Sequence, residues 1–414
     1  MMIENYELPE KTAQLIKDED AFGAHNYHPL PVVLEKGEGP FVWDVEGKRY
    51  FDFLSGYSAV NQGHCHPKLV EAMVKQSQQL TLTSRAFHSD KLATYVAYIT
   101  KYFGYDRVLP MNTGVEAVET AIKLARKWGY LVKGVADGAA KIITLDGNFH
   151  GRTVNVISFS TDETARNGFG PFVDGYITIP YNDLDALEFA LQDANVVGLL
   201  IEPIQGEAGV LVPDEGYLSK AFSLCKQHRV LFIADEIQTG LSRTGRLLAC
   251  DHEAVKPDVL ILGKALSGGM LPVSAVLAND EVMLTIQPGE HGSTYGGNPL
   301  ACAVGIAALE VLREEGLAEK AEALGIIFRT AIEEMNHPAI KLVRGKGLLN
   351  AIVISHENKD AAYELCLLMM QNGLLAKPTH GDKIRFAPPL VISQKQLVEA
   401  IAIIRTSLEQ WGGR

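Results

Sequence analysis

Four short stretches, residues 141–145, 197–201, 230–234 and 259–262, are apolar almost without interruption. Runs of that length and composition predict strands buried on both faces of a mainly parallel sheet. Around them, over 117–130, 184–192 and 217–228, the apolar positions recur at helical spacing, and Lys and Arg gather near the end of the first of these. Strand and helix alternate, which is the rhythm of a doubly wound α/β domain.

The flanks read differently. A short helix and a strand pair at 42–45 and 50–54, turning at Glu46-Gly47, are expected within 11–60. A helix over 298–315 leads into helices at 318–335 and 360–372, short strands near 340–343, 349–354 and 383–386, and a terminal helix from Gln394. The expected fold class is therefore α/β. It comprises a large doubly wound, mainly parallel sheet domain over 61–315 and a small α+β domain over 316–414. Residues 1–60 are expected to pack with the small domain, so that both termini build it. No internal repeat or low-complexity linker breaks this plan.

Composition narrows the function classes. The 414 residues are 47% apolar and 21% charged, as in ordinary globular domains, and the length gives a soft prior of two or three domains. A formal charge of −12, without a Lys/Arg stripe, argues against nucleic acid as a partner. No apolar run is long enough to predict a membrane span. The opening residues are acidic and suggest neither a secretory nor an Arg-rich transit leader. Five scattered cysteines without CxxC spacing suggest free thiols in a reducing compartment. A cytoplasmic protein, or the processed form of an organellar one, is expected. His64-Cys65-His66 lacks a further ligand at suitable spacing, so no metal is expected.

The chemistry gathers where predicted strands end. Asp235 closes one apolar run, and Lys264 follows another with Gly268-Gly269 behind it. A pyridoxal phosphate site needs this combination: a lysine for a Schiff base and a carboxylate for the ring nitrogen. Each residue also has a plainer reading, a solvated lysine or an aspartate capping a turn. Gln238, three residues past Asp235, is a candidate for the phenolic oxygen. Thr113-Gly114-Val115 precedes the helix at 117–130, where free N–H groups favour a phosphate, although an ordinary N-cap fits equally well. The segment from Gly292 to Pro299, which includes Thr294, has the same character. Phe149 could stack on a ring and Arg152 could fork a carboxylate. Glu202 and Glu207 follow the strand at 197–201.

With these residues laid out, the chain resembles the class III aminotransferases, enzymes of the fold-type I pyridoxal-phosphate superfamily, nearly end to end. Asp235-Glu236-Ile237-Gln238-Thr239-Gly240, then Arg243-Thr244-Gly245 and Lys264, carry the likeness and are highly specific as a set. Segments 23–31, 56–64 and 384–389 narrow it to members that act on the δ-amino group of ornithine. The resemblance implies that Lys264 carries the cofactor and shuttles a proton. It also implies that Asp235 pairs with the pyridine nitrogen and Gln238 with the phenolic oxygen. Phe149 and Ile237 would flank the ring, and Thr113, Gly114 and Val115 would hold the phosphate. Thr294 would come from a second subunit, which makes a homodimer the minimum unit. His150 receives no role in this reading.

For the substrates, the resemblance implies that Tyr27 and Arg152 hold the far end of ornithine, with Tyr57 shaping the channel and Glu202 among the substrate-binding side chains. Glu207 would mask Arg385 while ornithine is bound and release it for 2-oxoglutarate. The implied products are glutamate and glutamate 5-semialdehyde, which cyclises to pyrroline-5-carboxylate at the junction of arginine catabolism and proline biosynthesis. N-acetylornithine and 4-aminobutyrate aminotransferases share the cofactor machinery, as does a non-transaminating enzyme on this scaffold. Tyr27 and Tyr57 favour ornithine.

Overall fold

Seven strands form the central sheet of this computed structural model, which describes residues 8–379 and 381–412. The residues read above for a leader, 1–7, lie outside the described part. The spatial order is Arg107–Met111, Ser274–Ala278, Val259–Leu262, Leu231–Asp235, Val196–Ile201, Lys141–Leu145, Tyr176–Ile179. All four apolar runs are strands in it, and they run parallel to one another. Ser274–Ala278 alone runs against its neighbours on both sides, so the sheet is mixed.

Three of the seven strands lie outside the four apolar runs: Tyr176–Ile179, an edge strand that is only partly buried, and two with clearer physical reasons. Ser274–Ala278 consists largely of small residues with little β preference, yet every one is buried in the sheet interior. Arg107–Met111 contains Pro110, which cannot donate to a ladder, and the strand lies at the sheet edge.

Helices cover the sheet, and their starts are chemically defined. The helix Gly114–Trp128 begins three residues before its apolar pattern because Thr113 and Glu116 form a capping box. Asn298 caps Pro299–Glu314, where proline occupies the first turn.

Two four-stranded sheets complete the molecule. One orders Leu34–Glu38, Phe41–Asp44, Arg49–Asp52 and Leu374–Leu375, with Leu374 pairing Phe51 in a parallel register. The other orders Ile340–Lys346, Leu349–Ile354, Lys383–Phe386 and Lys377–Thr379. Phe53 N–H donates to Leu375 O and Ala387 N–H to Phe53 O, so the early and late parts of the chain share a ladder. A single apolar cluster runs from Phe53 and Leu69 through Leu266 to Phe328, Phe386 and Trp411.

Among the described residues, no helix is long and apolar enough to cross a membrane.

Candidate active site

Four adjacent parallel strands deliver their C-terminal ends to one place, where open α/β sheets commonly receive ligands. Leu145 leads to Phe149 and His150, Ile201 to Glu202, Leu262 to Lys264, and Asp235 itself ends a strand. Lys264 has a left-handed φ of 45°, a conformation that non-glycine residues rarely adopt and that clusters at functional sites. Burial lowers the pKa of its amine, while the charges of Glu207 and Asp235 oppose that shift. Among the described residues, nothing lies within hydrogen-bond reach of Lys264 Nζ.

Asp235 is 4% exposed. Its Oδ1 accepts Ile237 N–H at 3.1 Å, and its Oδ2 accepts His150 Nδ1–H at 2.7 Å. The imidazole is fully enclosed. Desolvation works against its charged form, yet the hydrogen bond and charge of Asp235, helped by Glu202, raise its pKa. Glu202 accepts Phe149 N–H at 2.8 Å and so fixes the loop that carries Phe149. Its carboxyl is pushed up to about 7, chiefly by burial. The sequence reading assigned nothing to His150; its only signal was its place directly after Phe149 in a glycine-bounded segment.

A cavity of about 270 Å³ opens over these groups. Lys264, Asp235, Phe149, Ile237 and Gln238 line it, and Gly114 and Val115 close one end. A Cβ on Gly114 would lie 3.1 Å from Ile237 Cδ1, so only the bare backbone fits comfortably beside that side chain. Thr113 serves as the helix cap, with its Oγ1 accepting Glu116 N–H at 3.4 Å. Its place as a cap and its proposed phosphate contact share one hydroxyl, which retains a free proton.

Glu207 and Arg385 meet at 2.7 Å although they stand far apart in the chain. Burial alone would raise the pKa of Glu207, but the charges of Arg385 and Lys264 outweigh it and hold it low. Gln238 Nε2 donates to the same carboxylate at 3.2 Å, while Gln238 Oε1 is buried without a partner among the described residues. Arg385 Nε and one of its terminal nitrogens are also buried and have no partner among the described residues. Donors and an acceptor therefore remain open beside the cavity.

The remaining candidates divide among neighbouring spaces. Arg152 lines the cavity over Lys264, with its guanidinium 5.4 Å from the Phe149 ring centre. Tyr27 is instead 69% exposed and lines a second cavity, of about 290 Å³, together with Tyr57. The two residues expected to hold the same end of a substrate thus face different cavities in this chain. Thr294 lies apart from both, in an open pocket with Ser84 and Arg85. His64 and His66 are engaged by Asp52 and Glu315.

The family model for class-III aminotransferases matches residues 22–408. This chain belongs to the class-III aminotransferase family. Mitochondrial ornithine aminotransferase of Rattus norvegicus is 62% identical over 401 residues, which is 97% of this aminotransferase and 91% of the rat protein. A solved ornithine aminotransferase from Toxoplasma gondii, with pyridoxal phosphate at partial occupancy in its active site, superposes with a TM-score of 0.96. It is 48% identical and aligned over 97% of this chain and 95% of its own. An acetylornithine aminotransferase from Elizabethkingia anophelis has a TM-score of 0.89 and 57% identity, over 96% of this chain and 99% of its own.

The site of this aminotransferase fits pyridoxal phosphate on its own features. An unengaged, desolvated amine, a buried carboxylate with one hydrogen-bonded imidazole and an orphaned amide oxygen surround one cavity. A helix N-terminus with bare glycine backbone borders the cavity, a setting that suits an anion.

Proposed function

We propose that this aminotransferase moves the δ-amino group of L-ornithine to 2-oxoglutarate, giving glutamate 5-semialdehyde and glutamate. The pairing of Glu207 with Arg385 carries this reading. A free guanidinium close to the reacting centre would fork an α-carboxylate and favour α-amino acids. With Glu207 against it, ornithine can enter δ-amine first. Moving Glu207 aside exposes the arginine to the α-carboxylate of 2-oxoglutarate.

When bound, pyridoxal phosphate supplies the carbonyl that takes up the amino group and the ring that accepts the electron pair. The protein does the rest. Lys264 Nζ holds the cofactor and then moves a proton to and from the reacting carbon, which its burial suits by favouring the neutral amine. Asp235 holds the ring nitrogen in its protonated form, and Gln238 offers an amide to the phenolic oxygen. Phe149 and Ile237 flank the ring, and the backbone of Gly114 and Val115 meets the phosphate, with Thr113 and the partner subunit's Thr294 completing the contact. Glu202 keeps the Phe149 loop in place, Arg152 and Tyr27 receive the far end of the substrate, and Tyr57 narrows the approach.

This account makes a homodimer the working unit. It assigns residues 61–315 to the cofactor domain and both flanks, 1–60 and 316–414, to the smaller one. Buried, unpaired thiols suit a reducing compartment such as the cytoplasm, whereas the rat relative is mitochondrial. The semialdehyde product, cyclising to pyrroline-5-carboxylate, sits between arginine catabolism and proline biosynthesis.

N-acetylornithine is the second candidate donor, because the Elizabethkingia neighbour is an acetylornithine aminotransferase. Purified holoenzyme assayed with 2-oxoglutarate and ornithine, N-acetylornithine or 4-aminobutyrate decides between them. Trapped pyrroline-5-carboxylate is expected from ornithine. Turnover of N-acetylornithine alone would overturn the substrate while leaving the cofactor chemistry intact.

A further inference from the structure

Arg344, Ala351 and Arg385 stand directly opposite one another on adjacent antiparallel strands of the small-domain sheet. Residues paired in this way point to one face, so two guanidinium groups flank a small methyl there. The segment that carries Glu207 lies over this face. Its Ile204 and Val210 pack against Leu349, Ala351 and Ala387.

That segment is a closed loop. Gln205 and Leu211 exchange both backbone hydrogen bonds, at 3.1 and 2.9 Å. Gly206 O accepts Gly209 N–H at 3.1 Å and Val210 N–H at 3.2 Å. Gly209 and Val210 have φ of 93° and 58°, and a β-branched residue adopts the left-handed region only where its surroundings hold it. Arg385 grips the near side of the loop, through Glu207 at 2.7 Å and Gly206 O at 3.4 Å. Arg344 grips the far side. Its Nε donates to Gly209 O at 2.8 Å, the one hydrogen bond of its side chain among the described residues. A substrate carboxylate that takes over the Arg385 guanidinium displaces the near grip, whereas the far grip stays.

We propose that Arg344 is a positioning residue for donor choice: it fixes the loop backbone beside Glu207, so that Glu207 opens by turning its side chain alone and closes again over Arg385. This rests on the reading that Glu207 masks Arg385. Without Arg344 the loop must be ordered each time the ion pair forms, which weakens the mask. Arg385 then stands open more often to an α-carboxylate.

Arg344→Met keeps the stem of the side chain and removes the donor. In single-turnover stopped-flow of the holoenzyme, the rate with glutamate should rise roughly threefold to tenfold, a part of what one charged hydrogen bond is worth. The rate with ornithine should stay within a few-fold of the wild type. Arg344→Gln, too short to reach Gly209 O, should behave alike and carries the test if the methionine variant does not fold. Arg344→Lys, which keeps a donor, should recover part of the wild-type ratio. In a Glu207→Ala background Arg344→Met should change the glutamate rate no further, because no mask remains to be held. A purely structural role would instead lower both rates and persist in that background. That result, or an unchanged ratio of glutamate to ornithine rates, would overturn the proposal. If Glu207→Ala alone fails to raise the glutamate rate, the masking reading falls and this proposal with it. If Glu207→Ala raises that rate and the Arg344 variants do not, only the role of Arg344 falls.

Discussion

His150 Nδ1 lies 2.7 Å from Asp235 Oδ2, with the imidazole sealed from solvent and its Nε2 without a partner among the described residues. A carboxylate that must meet a ring nitrogen gains from being fixed before the ring arrives, and this hydrogen bond fixes one of its oxygens. Replacing His150 by Phe keeps bulk but removes the donor. We expect His150→Phe to lower kcat on the order of tenfold to a hundredfold and to weaken retention of pyridoxal phosphate. His150→Asn, which keeps an N–H, should recover part of both. Equilibrium dialysis and single-turnover rates measure them, and wild-type values for His150→Phe would remove His150 from the site.

Glu202 gives the buried cluster a pH signature. Its pKa is raised from 4.5 to about 7, chiefly by burial. Below pH 4.5 the carboxyl is neutral in both folded and unfolded chains, and the folded state is not penalised. Between about 4.5 and 7 the unfolded chain releases the proton more readily, so stability falls as pH rises, by roughly 3 kcal/mol if Glu202 acts alone. Glu202→Gln retains an oxygen for Phe149 N–H and cannot ionise. Its stability relative to wild type should therefore climb across that window in urea titrations. A pH-independent difference would show that Glu202 does not titrate there.

Much of this architecture is legible in the sequence because burial on both faces of a parallel sheet demands continuous apolar runs. Leu231–Asp235 and Val259–Leu262 stand within one residue of where their patterns put them. Asp235 and Lys264 are visible for the same reason, as polar residues closing apolar strands. Ser274–Ala278 is not, since Ser and Ala carry no strand signal and its burial comes from neighbours on both sides. Glu207 with Arg385, His150 with Asp235 and Arg344 with Gly209 are contacts across long separations, to which periodicity is blind. The first was named only through family resemblance, and the other two emerged with the fold.

Glu207 offers a direct test of substrate order. In Glu207→Ala the Arg385 guanidinium loses its only ion-pair partner among the described residues and stands open toward the cavity. The 2-oxoglutarate half-reaction, which uses the open arginine, should persist within a few-fold. Reaction at α-amino groups should increase, roughly tenfold or more on the scale of a charged hydrogen bond. Stopped-flow absorbance with ornithine and with glutamate separates the two half-reactions. If glutamate reacts no faster with the variant than with the wild type, the masking role is wrong.

Arg243 makes a last prediction, about stability rather than chemistry. Its side chain is completely buried, and burial lowers its pKa to about 9 despite the nearby charge of Asp52. It donates to Asn61 Oδ1, to Leu348 O at 3.0 Å and to Pro388 O at 2.6 Å, tying three distant segments together. Arg243→Ala would strand those acceptors and open a cavity, a loss of about 3–5 kcal/mol. Lysine cannot spread donors over the same fan of acceptors, so Arg243→Lys should also be clearly destabilised. Denaturant midpoints of the holoenzyme measure both variants. Because Pro388 follows the strand that carries Arg385 and Leu348 precedes the strand paired with it, the alanine variant should also raise KM for 2-oxoglutarate before it unfolds. Wild-type stability in both variants would mean that the other contacts of these segments suffice.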